Sequence, residues 1–196
     1  MVAVLFAYAE TPHSGGAVQD IGPVDPIGPL LPYLAMEENM LRTVKRKLLL
    51  IQGANMCYLG KRQPEVYGTT TAQELDAALQ AHCREIGVEL EIFYTNHEGE
   101  AIDRIYRATG EGFDGLMMNP AGFQYCGFAL RDCLMAVPLP YVEVHITKAS
   151  ITGGLNTVTA AAAKGYVCGF GIDSYFAGLD GMLRLLDRVN AATAAS

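Results

Sequence analysis

The sequence predicts an α/β domain in which a five-stranded parallel sheet lies between two layers of helices. Three observations lead there. From Lys47 onward, short apolar runs alternate with longer amphipathic stretches in βαβ rhythm, which implies a parallel sheet covered on both faces. The longer stretches carry their apolar residues on one side at helical spacing. Finally, 196 residues with 51% apolar and 18% charged content suit one domain with a sizeable buried core.

Residues 1–46 read as an extension. Five of the nine prolines (Pro12, Pro23, Pro26, Pro29 and Pro32) fall between Thr11 and Pro32, which denies that stretch a helix or a continuous strand. A short strand over Val2–Tyr8 and one or two helical turns over Met36–Arg42 are the only regular elements expected there, packed against the body or another subunit. The domain proper spans residues 47–190, followed by a 191–196 tail. Its strands are expected at Leu48–Gln52, Leu90–Asn96, Gly115–Asn119, Tyr141–Ile146 and Tyr166–Phe170. A first helix over Thr71–Ile86 has Thr70 or Thr71 as N-cap, Glu74 to complete a capping box with Thr71, and Leu75, Leu79, His82 and Ile86 on one stripe before Gly87. His82 reads as a core or interface residue. Glu98–Thr109 follows, with Ile102, Ile105 and Tyr106 inward. Phe128–Val137 and Tyr175–Asn190 complete the set, the last burying Leu179, Met182, Leu183 and Leu186.

Charge narrows the function. A net charge of −7 and a pI near 5.0 argue against nucleic acid and against an anionic membrane surface, and favour a small-molecule partner. Five cysteines without metal-ligand spacing suggest reduced thiols in a cytoplasm, no zinc site and packing roles. The apolar run Val2–Ala9 lacks a basic leader and is too short to cross a bilayer, so the chain is read as cytoplasmic.

The chemistry gathers around Tyr141-Val142-Glu143-Val144-His145-Ile146. Alternation along a strand points Glu143 and His145 the same way, so a carboxylate can hold the imidazole in one tautomer and keep it protonated. Ligands of open parallel sheets bind beyond the carboxyl ends of the strands. The loop after the first strand, Gln52 to Gly68, is long, with glycine hinges. It carries Arg62 and Tyr67, a phenol whose ordinary pKa of about 10 a nearby guanidinium would lower. The loop after the third strand is Asn119-Pro120-Ala121-Gly122, whose Asn can orient a water or hold a carboxylate.

These motifs resemble the type II dehydroquinases, 3-dehydroquinate dehydratases of flavodoxin-like fold. The likeness runs from Lys47 to Leu186 through six ordered motifs: the lid Gly53 to Gly68, Asn96-His97-Glu98-Gly99-Glu100, Asn119-Pro120-Ala121-Gly122, Ala129-Leu130-Arg131-Asp132, Val142-Glu143-Val144-His145 and Cys168-Gly169-Phe170-Gly171. The resemblance implies that Tyr67 is the base that removes the proton beside the ketone, with its pKa lowered by Arg62. Asn119 would hold a water that stabilises the enolate and contact the substrate carboxylate. His145, oriented by Glu143, would protonate the departing hydroxyl. Asn55 would organise the site from behind, and the backbone at Ile146 and Thr147 would bind the carboxylate. Gly122 and Tyr125 would complete the substrate pocket, and Asp132 would reach a neighbouring active site in a trimer within a homododecamer. No metal or organic cofactor is implied.

The chain also departs from that pattern. Tyr125 stands where the family has a His, no Arg follows His145 through Thr159, Gln63 replaces the lid's Glu, and Gln52 and Ala54 replace Asn and Pro. Each hydrogen bond to a substrate hydroxyl that goes unmade in a desolvated pocket costs about 1–3 kcal/mol, so two would weaken 3-dehydroquinate binding roughly 10²–10⁴-fold. The expectation is a dehydratase acting on 3-dehydroquinate or on a related carboxylated cyclic β-hydroxy ketone, in the shikimate pathway, quinate catabolism or specialised metabolism. The alternative is a non-catalytic small-molecule binder of the same fold. A flavin or nucleotide binder is disfavoured because Gly169-x-Gly171 lacks the third glycine of the dinucleotide fingerprint.

Overall fold

The computed structural model describes residues 45–148 and 157–194. The expected elements at Val2–Tyr8 and Met36–Arg42 lie outside the described residues, as do positions 149–156 beyond His145. The chain runs β1 (Lys47–Ala54), α1 (Pro64–Tyr67), α2 (Ala72–Glu85), β2 (Glu89–Tyr94), α3 (Glu98–Gly110), β3 (Gly115–Ala121), α4 (Phe128–Ala136), β4 (Tyr141–His145), β5 (Gly165–Cys168) and α5 (Asp173–Ala194). All strand pairs are parallel and the order is β2-β1-β3-β4-β5. Strand order reverses between β1 and β3, and a crevice opens at the carboxyl edge of such a reversal.

Continuous apolar strands explain the burial on both faces. Leu48 and Leu50 of β1, Met117 of β3 and Val142 and Val144 of β4 pack against Leu75 and Leu79 of α2 and Leu179, Met182, Leu183 and Leu186 of α5. On the other face Leu49, Ile51, Leu116, Met118 and Tyr141 meet Ala101, Ile105 and Ala108 of α3 and Leu130, Cys133 and Leu134 of α4. The five-stranded parallel sheet between helical layers is therefore as the sequence predicts.

Local signals hold at several ends. The capping box at Thr71 forms: Glu74 N donates to Thr71 Oγ1 at 3.2 Å, and Thr71 N donates to Glu74 Oε2 at 2.8 Å. His82 sits edge-on to Phe176 of α5, with 5.4 Å between centroids, as a residue between two helices. Other bounds shift. β5 starts at Gly165 and stops at Cys168, because Gly169 turns out of the strand at φ +89°. Helix α5 runs past Asn190 to Ala194, since neither Gly nor Pro interrupts its end.

One inward assignment is wrong. Tyr106 is 50% exposed, because the buried stripe of α3 is Ala101, Arg104, Ile105 and Ala108. Arg104 takes the remaining inward place by donating to Glu91 Oε1 at 2.7 Å and pairing with Glu111 at 3.0 Å. At the start of the sheet, buried Arg46 pairs with Asp187 of α5 at 2.9 Å and with Asp114 at 3.6 Å. Among the described residues no helix is long and apolar enough to cross a membrane.

Candidate active site

A cleft opens at the carboxyl ends of β1, β3 and β4, the edge at which open parallel sheets bind their ligands. Tight backbone packing builds its floor. A Cβ on Gly53 would lie 2.3 Å from Pro120 O, so only glycine lets β1 and β3 approach there. Asn55, in the left-handed region at φ 77°, then turns the chain away, and its N–H donates to Asn96 Oδ1 at 2.7 Å. Gly122, the first residue after β3, faces this turn, with a Cβ position 3.2 Å from that of Ala54.

The long loop after β1 is more ordered than its glycines suggest. A 3₁₀ turn over Met56–Tyr58 leads to α1, whose first residue, Pro64, is pre-set for a helix start. This short helix delivers Tyr67, half-buried, to the cleft, and Gly68 at φ +82° ends it. Arg62 enters from the same loop, with Cζ 5.5 Å from the centre of the Tyr67 ring.

Asn119 is 4% exposed at the end of β3. Its Nδ2 donates to Tyr175 Oη at 2.9 Å and its Oδ1 accepts from Ala121 N at 3.1 Å. Tyr175 Oη in turn donates to Gln52 Oε1 at 2.8 Å. Burial pushes the Tyr175 hydroxyl well above its ordinary value, so it stays a neutral phenol.

His145 and Glu143 meet as their alternation requires, His145 Nε2 to Glu143 Oε1 at 2.7 Å. Tyr141 Oη donates to Glu143 Oε2 at 2.7 Å and Thr157 Oγ1 to Glu143 Oε1 at 2.7 Å. Burial opposes the charged carboxylate, but the hydrogen bonds from His145, Tyr141, Thr157 and Thr159 outweigh it and hold Glu143 below the usual range. The His145 ring also lies against Tyr166 of β5, 5.2 Å between centroids.

The cleft brings together Asn55, Arg62, Tyr67, Asn119, Gly122, Tyr125, His145, Ile146 and Thr147, with Glu143 directly behind His145. Tyr125 sits at the mouth, 54% exposed. Asp132 does not line it: on α4, its carboxylate accepts from Arg131 Nη2 at 2.8 Å within the chain. Met56, Leu59 and Gln124 also line the cleft, without a motif in the sequence to mark them. Tyr141 is readable from the strand period, being two residues before Glu143 on the same face. Thr157 and Tyr175 carry no local signal, since they reach the site from distant segments.

Residues 46–183 match the family model described as Dehydroquinase class II. Among curated relatives, the 3-dehydroquinate dehydratase of Geotalea daltonii is 42% identical over 135 residues, which cover 68% of this chain and 93% of the relative. That of Syntrophotalea carbinolica is 40% identical over 136 residues, covering 68% and 92%. Among solved structures, the type II dehydroquinase of Butyrivibrio crossotus superposes with a TM-score of 0.67 at 30% identity, covering 70% of this chain and 97% of that one.

Proposed function

The chain belongs to the class II dehydroquinase family, and from that membership we propose that it is a hydro-lyase removing water from 3-dehydroquinate through an enolate. The observation that carries the residue roles is the presence, in the lining of one cleft, of a phenol and a buried, carboxylate-held imidazole. A base and an acid at opposite ends of a bound ring are what an elimination needs.

With the substrate seated, the Tyr67 phenoxide removes the proton on the carbon beside the ketone, and the C–H electrons move into an enolate. Arg62, over the Tyr67 ring, is the cation placed to balance the phenoxide charge. Asn119 holds the water that stabilises the enolate oxygen; such preorganised polar groups are worth most in a site shielded from solvent. The enolate then reforms the ketone, a carbon–carbon double bond forms, and the C–O bond to the leaving hydroxyl breaks. With Nε2 held by Glu143, Nδ1 of His145 is the nitrogen left to give that hydroxyl its proton, so water departs. Tyr67 ends protonated and His145 deprotonated, and exchange with solvent restores both. Asn55 stiffens the turn behind the site, and the backbone N–H groups at Ile146 and Thr147 face the substrate carboxylate. Gly122 leaves room for the ring.

Tyr125 replaces a ring-hydroxyl contact with a half-open phenol, which supports tolerance of substrates with fewer hydroxyls than 3-dehydroquinate. For assembly, Phe128, Asp132 and Met135 lie on one outward stripe of α4, at i, i+4 and i+7, with Phe128 and Met135 exposed. That stripe supports a trimer-based homo-oligomer, on to a dodecamer, with Asp132 at a subunit boundary. The five free thiols fit a cytoplasmic setting. The test of function is ultraviolet detection of the conjugated enone formed from 3-dehydroquinate. A folded protein that forms none between pH 5 and 10, at any substrate concentration, would end this reading.

A further inference from the structure

We infer, resting on the dehydratase reading above, that Tyr175 and Gln52 are positioning residues that, together with the Ala121 backbone N–H, hold the Asn119 amide in one orientation toward the reacting oxygen. Neither lines the cleft, both are fully buried, and they sit 123 residues apart in the chain.

The direction of the hydrogen bonds is forced from one end. Ala121 N is a backbone donor and can only give a proton, so the atom of Asn119 facing it must be the carbonyl Oδ1, at 3.1 Å. Nδ2 must then face Tyr175 Oη, at 2.9 Å, and the phenol must accept there. A phenol has one proton, and Tyr175 gives it to Gln52 Oε1 at 2.8 Å. Gln52 thus takes the phenol's only proton and leaves Tyr175 Oη as an acceptor facing Nδ2, the same amide orientation that Ala121 N selects. After these bonds the Asn119 amide retains one N–H and one carbonyl lone pair, and these are what it can offer a water or the substrate oxygen.

A second observation points to the same pair. Gln52 is wholly buried, and beyond the approach of its side chain to the Tyr94 hydroxyl its Nε2 makes no well-formed hydrogen bond among the described residues. A half-satisfied buried amide lowers stability, and an apolar side chain of similar size would remove the defect. Its position is therefore explained by its other end. Nearby, Tyr94, in register with Gln52 on β2, gives its own proton to Asp76 at 2.8 Å and so does not compete for Gln52 Oε1 as a donor.

Three proteins test this: the parent, Tyr175→Phe, and Tyr175→Phe combined with Gln52→Leu. In the single variant, kcat for enone formation should fall about 10–100-fold while KM stays within about threefold, since ring packing is kept and only alignment is lost. In the double variant, thermal stability should return to the parent's level or above while kcat stays low. A merely structural role predicts instead that activity recovers together with stability, and that result, or a single variant as active as the parent, would overturn the inference. Crystal structures of the parent and Tyr175→Phe read the amide directly, and the Asn119 side chain should rotate in the variant. If the parent makes no enone, the functional reading falls by itself. The structures still judge the inference, because an Asn119 amide unmoved in Tyr175→Phe overturns it whatever the activity.

Discussion

Replacing Tyr141 by Phe isolates one hydrogen bond to the Glu143–His145 pair. The ring is fully buried and stays packed; only the donor to Glu143 Oε2, at 2.7 Å, is deleted. Hydrogen bonds to charged groups contribute about 1.5–3 kcal/mol, so a loss near 2 kcal/mol is expected at pH 7, or about 4–8 °C in Tm for a domain of this size. The pH dependence follows from Glu143, whose carboxyl lies below its unfolded value because of the hydrogen bonds that reach it. Its contribution is therefore present above the unfolded pKa and is lost as pH falls through the folded one. The groups facing it are His145 and Tyr141 on its own strand, Thr157 and Thr159 from the segment before β5, and Tyr166 of β5 beside the His145 ring. Removing Tyr141 Oη moves the folded value of Glu143 upward, so the deficit should be largest near neutrality and shrink as pH falls from the unfolded value of about 4.3 through the lower folded one. Thermal melts at pH 7 and about pH 3 measure this, and the acid limb of the kcat profile should move to higher pH in parallel. A variant whose Tm matches the parent's at pH 7, or whose deficit is the same at both pH values, would refute the reasoning.

Tyr67→Phe should lower kcat by at least about 10³-fold while ligand binding by calorimetry stays within a few-fold, because packing is retained and the proton acceptor is gone; near-parental turnover would remove Tyr67 from the base role. Gly53→Ala should destabilise the fold by about 2–4 kcal/mol in urea unfolding, since its Cβ would meet Pro120 O at 2.3 Å and the obstacle is backbone; an unchanged midpoint would mean that β1 and β3 separate more easily than their packing suggests. Tyr125→His should improve kcat/KM for 3-dehydroquinate by about 3- to 30-fold, and a decrease would show that the phenol itself serves the substrate.

Much of the fold is legible in the residues alone, for reasons that can be named. The three central strands β1, β3 and β4 are buried and largely apolar, so composition marks them, and the Thr71–Glu74 capping box depends on residues three apart. The Glu143–His145 pair needs only the two-residue period of a strand. Reading fails where neighbours decide. Spacing assigns Tyr106 to the core, but Arg104, drawn in by Glu91 and Glu111, occupies that side of α3. The loop after β1 reads as a long connection with glycine hinges, yet Pro64 begins the helical turn that delivers Tyr67. Hydrogen bonds such as Asn119 to Tyr175 join segments 56 residues apart, and only the strand order brings them together.

The two apolar cores divide the proposed chemistry between them. Tyr67 packs against the core shared by α2 and α5, and Asn119 is tethered to α5 through Tyr175. Glu143 and His145 alternate with Val142 and Val144 and so share a face with Tyr141, on the side of α3 and α4. Proton removal and proton delivery thus rest on separate foundations joined by a single sheet. Substitutions confined to one foundation should alter one half-reaction and leave the other nearly intact, so their effects should combine almost multiplicatively across the sheet. For a lineage adapting to a new substrate, that arrangement lets the leaving-group end be retuned without dismantling the enolising end.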